Sequence, residues 1–308
     1  MNVQFEFFRL RFHFQAAEPI YFPPGQSGNV VRGAFGTILR KTACTPACTS
    51  AAHQPGCAYA RIFEPKAARL KGPSGLTDRP RPFTFRTAHL DGCQFQRNGR
   101  FHFDAHLFDT QCPAVSHFVS ALSRLATEGL GPKRGRAALA SVEQLALDDV
   151  VLRQVFDGGK VSAMEPTAAD LTTGSAPVNR VRVCFLTPTE LKAGEGLAEQ
   201  PEFPILFARI RDRLSTLRSL YGPGPLAIDF RGMGERAKRI KMTRCELHAE
   251  KSQRRSSRTG QAHALGGFTG EAEYEGDLAE FLPYLHAARW TGVGRQTVWG
   301  KGEIRISE

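Results

Sequence analysis

Apolar periodicity along the chain switches between two residues and about 3.6 residues, and it runs through the same order twice. In "VQFEFFRLRFHF" the residues Val3, Phe5, Phe7, Leu10, Phe12 and Phe14 alternate with other positions and slip once near Phe8, which predicts a bulged strand with one buried face. After the loop "FPPGQSG", the segment "NVVRGAFGTILRK" places Val30, Phe35, Ile38 and Leu39 on a helical stripe behind a cap at Asn29. Strands at "PFTFRTAHL" and "RFHFDAHLF" follow, read as a hairpin around an Asn98-Gly99 turn. A helix at "AVSHFVSALSRLATEGL" ends at Gly129, and "ALASVEQLAL" is a weak strand. The order is βαββαβ.

The second half repeats that order. "NRVRVCFLTPTEL" reads as a strand, "FPILFARIRDRLSTLRSLYG" as a long amphipathic helix, and "IKMTRCELHAE" with "ALGGFTGEAEYEG" as a strand pair. "DLAEFLPYLHAARW" is a helix and "GKGEIRI" the last strand. The predicted class is α+β: two tandem ferredoxin-like (RRM-like) βαββαβ domains, each an antiparallel sheet with helices on one face, closed by a C-terminal glycine-rich loop. The expected boundaries are 1–150 for the first domain, with a Cys/His-containing insertion at 44–57, a linker region at 151–178, and 179–308 for the second domain. A length of 308 residues accommodates two such domains. The repetition is one of architecture, not of residues.

A surplus of 41 Lys+Arg over 30 Asp+Glu favours polyanionic partners, nucleic acid first among them. No run approaches the roughly 20 apolar residues needed to span a bilayer, and the alternating first strand is no secretory leader, so a cytoplasmic location is expected. Seven cysteines, an odd number, do not suggest a secreted disulfide framework. Within "CTPACTSAAHQPGC", Cys44, Cys48, His53 and Cys57 have the spacing Cys-x3-Cys-x4-His-x3-Cys. Three thiolates and an imidazole would make a closed tetrahedral zinc site; free thiols or a chance cluster fit the spacing as well. Cys93, Cys112, Cys184 and Cys245 read as small core residues.

Cations gather in the second half. Arg231, Arg236, Lys238, Arg239, Lys241 and Arg244 precede Lys251, Arg254, Arg255 and Arg258, with few acids between them. If extended, the tract points Arg239 and Lys241 to one face and Arg236, Lys238 and Arg244 to the other. Forked arginine contacts suit phosphates; the alternative is a solvated basic hairpin. In "TGVGRQTVWGKGEIRI", Gly292, Gly294, Gly300 and Gly302 surround Arg295 and Lys301. Such a run allows positive φ and leaves amides free for phosphate oxygens, or it serves only as a tight turn. Trp290 and Trp299 flank it, as stacking surfaces for bases or as core.

Residues 257 to 306 resemble the C-terminal half of the CRISPR-associated endoribonucleases of the RAMP (repeat-associated mysterious protein) superfamily that cut precursor CRISPR RNA. Their glycine-rich loop, G-x-G-(K/R)-x-(T)-x-x-G-x-G, is met by Gly292, Gly294, Arg295, Thr297, Gly300 and Gly302. "VVRGAFGTILRK", three cysteines before "YARIFEP", "RPFTFR", "GLGPKRGRA", "VCFLTPTELK" and "FARIRDRLSTLRSLYG" follow the family's order, so the resemblance spans nearly the whole chain.

The resemblance implies metal-independent cleavage of precursor CRISPR RNA within its repeats, in which a 2′-hydroxyl attacks the adjacent phosphate and leaves a 2′,3′-cyclic phosphate. No cofactor is implied for that chemistry. Repeat RNA, precursor and mature, and other subunits of a CRISPR effector complex are the implied partners. Several relatives read "GAFGH" where this chain reads "GAFGT", so Thr37 replaces an expected histidine. Arg32 and Arg40, on the same helix, are the expected catalytic cations. His53 cannot both hold a metal and act as base, while His248, His263 and Tyr274 come from second-domain strands. The alternatives are a non-catalytic crRNA-binding subunit of a CRISPR effector complex and a zinc-dependent nucleic-acid-binding protein outside that setting.

Overall fold

The protein is described by a computed structural model covering residues 3–45, 48–49, 52–65, 79–174, 176–250, 253–255, 262–264 and 266–308, with the side chains of 253–255 and 262–264 left aside. Two compact units divide it: residues 6–168 with 220–223, and residues 1–5 with 169–219 and 224–308.

The first unit is built from β1 (Gln4–Ala16), α1 (Ser27–Ala43), α2 (Ala58–Phe63), β2 (Phe83–Arg86), β3 (Arg100–Leu107), α3 (Val115–Glu128), β4 (Ala137–Leu145) and β5 (Val151–Phe156). Its sheet runs β2-β3-β1-β4-β5, and the first four strands have the antiparallel order of a ferredoxin-like fold. One face carries Phe12, Phe14, Phe85 and Phe103, against which α1 and α3 set Phe35 and Phe118, ring centroids 4.5 Å apart. Burial of these rings drives this half together.

Four local expectations are corrected. β1 and β3 pair without interruption from Phe8↔Leu107 to Gln15↔Arg100; the slip falls between His13 and Phe14, against β4. Both Phe7 and Phe8 are buried because Phe7 is covered by Phe108 and His106 on the other face. Helix α1 begins before Asn29, and its Ser27 amide donates to the Asp91 carboxylate at 2.9 Å, a cap supplied from a distant segment. The Asn98 turn, with φ of 68°, joins β3 to the short strand Gln94–Phe95, not to β2. Residues 151–178, expected as linker, contain β5, which extends the sheet beside β4.

The second unit repeats the plan with β6 (Arg180–Thr189), α4 (Phe203–Tyr221), α5 (Phe230–Ala237), β7 (Lys241–Glu250), β8 (Gly267–Glu275), α6 (Leu282–Thr291) and β9 (Ile304–Ser307). The sheet order is β7-β8-β6-β9, all antiparallel. Phe203, Leu206, Phe207, Ile210, Leu214 and Leu217 of α4 recur at helical spacing and are buried, with Phe207 and Phe281 centred 4.6 Å apart. The architecture is thus the predicted α+β pair of ferredoxin-like folds.

Candidate functional site

Helix α1 lines the first candidate surface. Its Val30, Ala34, Thr37, Ile38 and Lys41 face Leu125 and Glu128 of α3 and the turn from Gly129 to Arg134 across a groove of about 340 Å³. That turn needs its glycines: φ is +104° at Gly129 and +75° at Gly131, and a Cβ there would meet the carbonyl oxygens of Arg134 at 2.3 Å and Tyr21 at 2.5 Å. Lys41 and Arg134 make the lining cationic. Glu128 accepts from Lys41 at 3.0 Å and from Arg124 at 2.8 Å, and these bonds hold its carboxyl below the usual range. Thr37 is exposed, and its hydroxyl donates to the Gly33 carbonyl at 3.3 Å. Among the described residues no histidine lines the groove.

Arg32 and Arg40 do not flank Thr37 as a pair. Arg32 is only 8% exposed, with its guanidinium carbon 4.4 Å from the Phe63 ring centroid. At about 100° per residue it lies roughly 140° around the helix from Thr37. Half-buried Arg40 lies about 60° around the helix from Thr37 and is not among the residues that line the groove.

The C-terminal glycine loop is packed rather than bare. The amides of Val293, Arg295, Trp299, Gly300 and Gly302 donate to carbonyls of Gly302, Glu190, Gln296, Thr297 and Pro188 at 2.9–3.1 Å. Gly292, Gly294, Gly300 and Gly302 have φ between 67° and 79°. A Cβ at Gly294 would fall 2.2 Å from the Glu190 carbonyl oxygen, and one at Gly302 would fall 1.9 Å from that of Val293. Lys301 is buried, whereas exposed Arg295 reaches Glu190 at 3.4 Å. Trp290 is buried and Trp299 half-buried. The glycines therefore serve backbone approach and left-handed geometry, and with the Gly292 amide donating to Ala288 at 2.8 Å the expectation of free amides is corrected at six positions.

The basic tract is not one extended ribbon. Arg231 and Arg236 belong to α5, capped by Asp229, whose carboxylate accepts from the Gly232 amide at 2.8 Å; Lys238 caps the other end. Arg236 makes a fork to Glu280 at 2.6 and 2.8 Å, and Lys238 pairs with Glu235 at 2.9 Å. Arg244 meets Glu246, Glu271 and Glu273 at 2.8, 3.3 and 3.6 Å. Glu271 and Glu273 also pair with Arg182. The sheet face is thus a mixed-charge lattice, and acids remote in sequence compensate cations that looked unopposed. Among the described residues, Arg239 and Lys241 make no ion pair and are exposed. The side chains of Arg254 and Arg255 and of His263, and the whole of Lys251 and Arg258, lie outside the described residues.

Tyr274 is fully buried and donates to the Pro201 carbonyl at 2.6 Å, a satisfied core group; His248 is exposed on β7. Cys93, Cys184 and Cys245 are half-buried and Cys112 is exposed, so none of the four is the core residue expected. Cys44, Cys48, His53 and Cys57 do converge, their donor atoms all within 4.8 Å of one another, in a group that could hold a metal ion.

A histidine row escaped the sequence reading. On the outer face of the first sheet, His13 faces His102 with ring centroids 5.8 Å apart, and His89 stacks on His102 at 4.9 Å. His13 Nε2 contacts Glu143 at 2.8 Å, while Arg11 forks to Asp104 at 2.8 and 3.0 Å. The signal was the polar alternation of "RLRFHF" and "RFHFDAH", but only strand register joins the two segments.

Residues 5–169 match the N-terminal-domain family AF_1859_N, and residues 183–304 match the CRISPR-associated endoribonuclease Cas6 family. An uncharacterized protein of Archaeoglobus fulgidus is 25% identical over 301 residues, covering 93% of this chain and 95% of that protein. The structure is similar to a Cas6 product complex, with a TM-score of 0.57, 17% identity, and coverage of 98% of this chain and 100% of the other. Thermus thermophilus Cas6 gives 0.54 at 15% identity, covering 100% and 99%. A partial Cas6-RT-Cas1–Cas2 complex gives 0.57 at 12% identity, with this chain spanning 46% of that one. With residues 5–169 spanning more than half of its length, the chain belongs to the AF_1859_N N-terminal-domain family, and its second half carries a region matching the CRISPR-associated endoribonuclease Cas6 family.

Proposed function

We propose that the protein is an endoribonuclease that cuts precursor CRISPR RNA within its repeats, without a catalytic metal. The match of residues 183–304 to the Cas6 endoribonuclease family carries this reading. The 340 Å³ groove beside Thr37, lined by Lys41 and Arg134, is the surface on which the scissile phosphate rests. The ribose 2′-oxygen forms a bond to phosphorus as the bond to the 5′-oxygen breaks; the 2′-hydroxyl proton leaves, and the 5′-oxygen acquires one. The crowded phosphorane gains charge that a guanidinium stabilises, and Arg40, one turn along α1 from Thr37, is the catalytic cation that reaches it from beside the groove. Arg32 positions the helix through Phe63.

Elsewhere RNA is held by its phosphates. Exposed Arg239 and Lys241 are the main contacts, Arg295, Arg236, Lys238 and Arg244 contribute by exchanging their carboxylate partners, and Arg254, Arg255 and Arg258 belong to the same stretch of sequence. Gly292, Gly294, Gly300, Lys301 and Gly302 give the loop the shape that presents Arg295. The protein works in the cytoplasm with repeat RNA and other CRISPR subunits. No helix among the described residues is long and apolar enough to cross a membrane.

A second reading, a non-catalytic crRNA-binding subunit, is favoured by one observation: the Thr37 hydroxyl is spent on Gly33, and no histidine among the described residues lines the groove to move a proton. Incubation with end-labelled repeat RNA in EDTA, beside RNAs carrying single 2′-deoxy substitutions, separates the two. A single cut that survives EDTA and disappears with one substitution supports the nuclease; tight binding without cutting supports the carrier.

A further inference from the structure

We propose that Cys44, Cys48, His53 and Cys57 bind one structural zinc ion, and that this ion clasps the end of α1 to the start of α2. Cys44 Sγ lies 3.5 Å from His53 Nδ1, Cys57 Sγ lies 3.6 Å from the same nitrogen, and the two sulfurs are 3.9 Å apart. Zinc with thiolate bonds of about 2.3 Å and an imidazole bond of about 2.0–2.1 Å puts its tetrahedral edges at roughly 3.8 Å between sulfurs and roughly 3.6 Å between sulfur and nitrogen. Cys44, His53 and Cys57 therefore already stand at three corners of a zinc tetrahedron, with the Cys48 sulfur within 4.8 Å of each.

The surroundings match a ligand set. The His53 side chain is 7% exposed, and its other ring nitrogen faces Glu64 at 3.6 Å, while Glu64 accepts from the Tyr59 hydroxyl at 2.9 Å. A carboxylate behind a ligating imidazole fixes its orientation and raises its basicity. Cys48 Sγ accepts from the Gln54 amide at 3.3 Å, a bond suited to a thiolate. All four donors are protein atoms, so no coordination position is left for a hydrolytic water. Zinc here builds structure and takes no part in the RNA chemistry.

Position in the fold gives the site its purpose. Cys44 caps the end of α1 and Cys57 caps the start of α2. At the far end of α2, Phe63 lies against Gly36 and beneath the Arg32 guanidinium of α1. The short α2, six residues, has little length with which to hold itself in register, and a metal clasp at its first turn supplies the missing constraint.

The test begins with full-length, untagged protein purified under reducing conditions and analysed for metals. One zinc per chain, with X-ray absorption showing three sulfurs and one nitrogen, is the expected result, and stripping the metal should raise the thiol titre of the native protein. Cys57→Ser should abolish zinc, and Cys93→Ser should leave it at one per chain. Stripping the zinc should speed tryptic cleavage at Arg40, Lys41 or Arg61 at least fivefold, with zinc alone restoring resistance. Absence of zinc from the reduced, full-length protein, or stoichiometric iron in its place, would overturn the proposal. Because the first measurements use wild-type protein, they remain decisive even where Cys57→Ser does not fold.

Discussion

Phe63 occupies the space that a side chain at Gly36 would need: a Cβ built on Gly36 falls 2.1 Å from Phe63 Cζ. A glycine in the interior of α1 costs about 1 kcal/mol relative to alanine, and here that cost permits α2 to lie against α1. Gly36→Ala should therefore lose about 1–3 kcal/mol through overpacking, less the propensity gain. Gly33, on the same helix with nothing within 4 Å of its Cβ position, is the internal control. Gly33→Ala should stabilise by up to about 1 kcal/mol. Urea denaturation of the two variants checks both signs.

Substitution in the C-terminal loop should damage the fold before it affects RNA. Gly302→Ala places a Cβ 1.9 Å from the Val293 carbonyl oxygen at a φ of +67°, so a loss of more than about 2 kcal/mol is expected. Arg295→Ala, at an exposed position, should leave the melting temperature within about 2 °C of wild type. It should weaken RNA binding and lower the salt slope by less than one, since Glu190 already holds this guanidinium. Melting curves and binding isotherms at several salt concentrations distinguish the two effects.

Compensated and uncompensated cations should differ in the same assay. Replacing Arg239 and Lys241 together with alanine should reduce the salt slope of RNA binding by nearly two. The pair Arg236→Ala and Arg244→Ala removes cations already held by Glu280 and by Glu246, Glu271 and Glu273, so its effect on the slope should be smaller. Equal slopes for the two double variants would mean that RNA displaces these carboxylates.

How legible these features were depended on the distance over which their causes act. The order of strands and helices follows from local spacing, and Phe12, Phe14, Phe35 and Phe118 reveal their buried faces in short windows. The ion pair of Arg236 with Glu280 and the meeting of His13 with His102 depend on tertiary fold or strand register, which no window contains. Arg32 shows a second limit. Its charge suggested a working surface, yet its neighbour Phe63 is set by the course of α2, and a guanidinium can be buried on a ring as readily as it can meet a phosphate. Glycine in the C-terminal loop signalled unusual backbone correctly, but not whether the amides would be spent inward.

His102 should make the protein sensitive to mild acid. Burial first, then the charge of Arg11 and the neighbouring His89 and His13, holds its imidazole below the ordinary value of 6.5, and Asp104 opposes this only in part. The unfolded chain therefore binds the proton more readily than the folded one. Stability is fully present above about pH 6.5 and is lost as pH falls through the folded pKa. His102→Gln should narrow the difference in melting temperature between pH 7.5 and pH 5.5 without abolishing it, since burial and Arg61 lower His117 in the same direction. An unchanged difference would assign the acid sensitivity to other groups.

Thr37 gives the most direct test of where the chemistry happens. If Arg40 stabilises the phosphorane while no imidazole moves the proton, the rate of the wild-type protein should rise steadily with pH from 6 to 9, with no plateau near the histidine range. Thr37→His places an imidazole on the exposed lining of the groove, one turn from Arg40. Single-turnover cleavage at pH 7 should then increase at least tenfold, and the pH profile should acquire an inflection near 6.5, because positioned general acid–base catalysis contributes about 10²–10⁴-fold. A wild-type cleavage rate that collapses in His13→Ala while RNA binding holds would move the proton transfer to the His13–Glu143 pair. Thr37→His that binds RNA normally yet gains no rate would place the scissile phosphate outside this groove, because the added base would be in the wrong place for the 2′-hydroxyl.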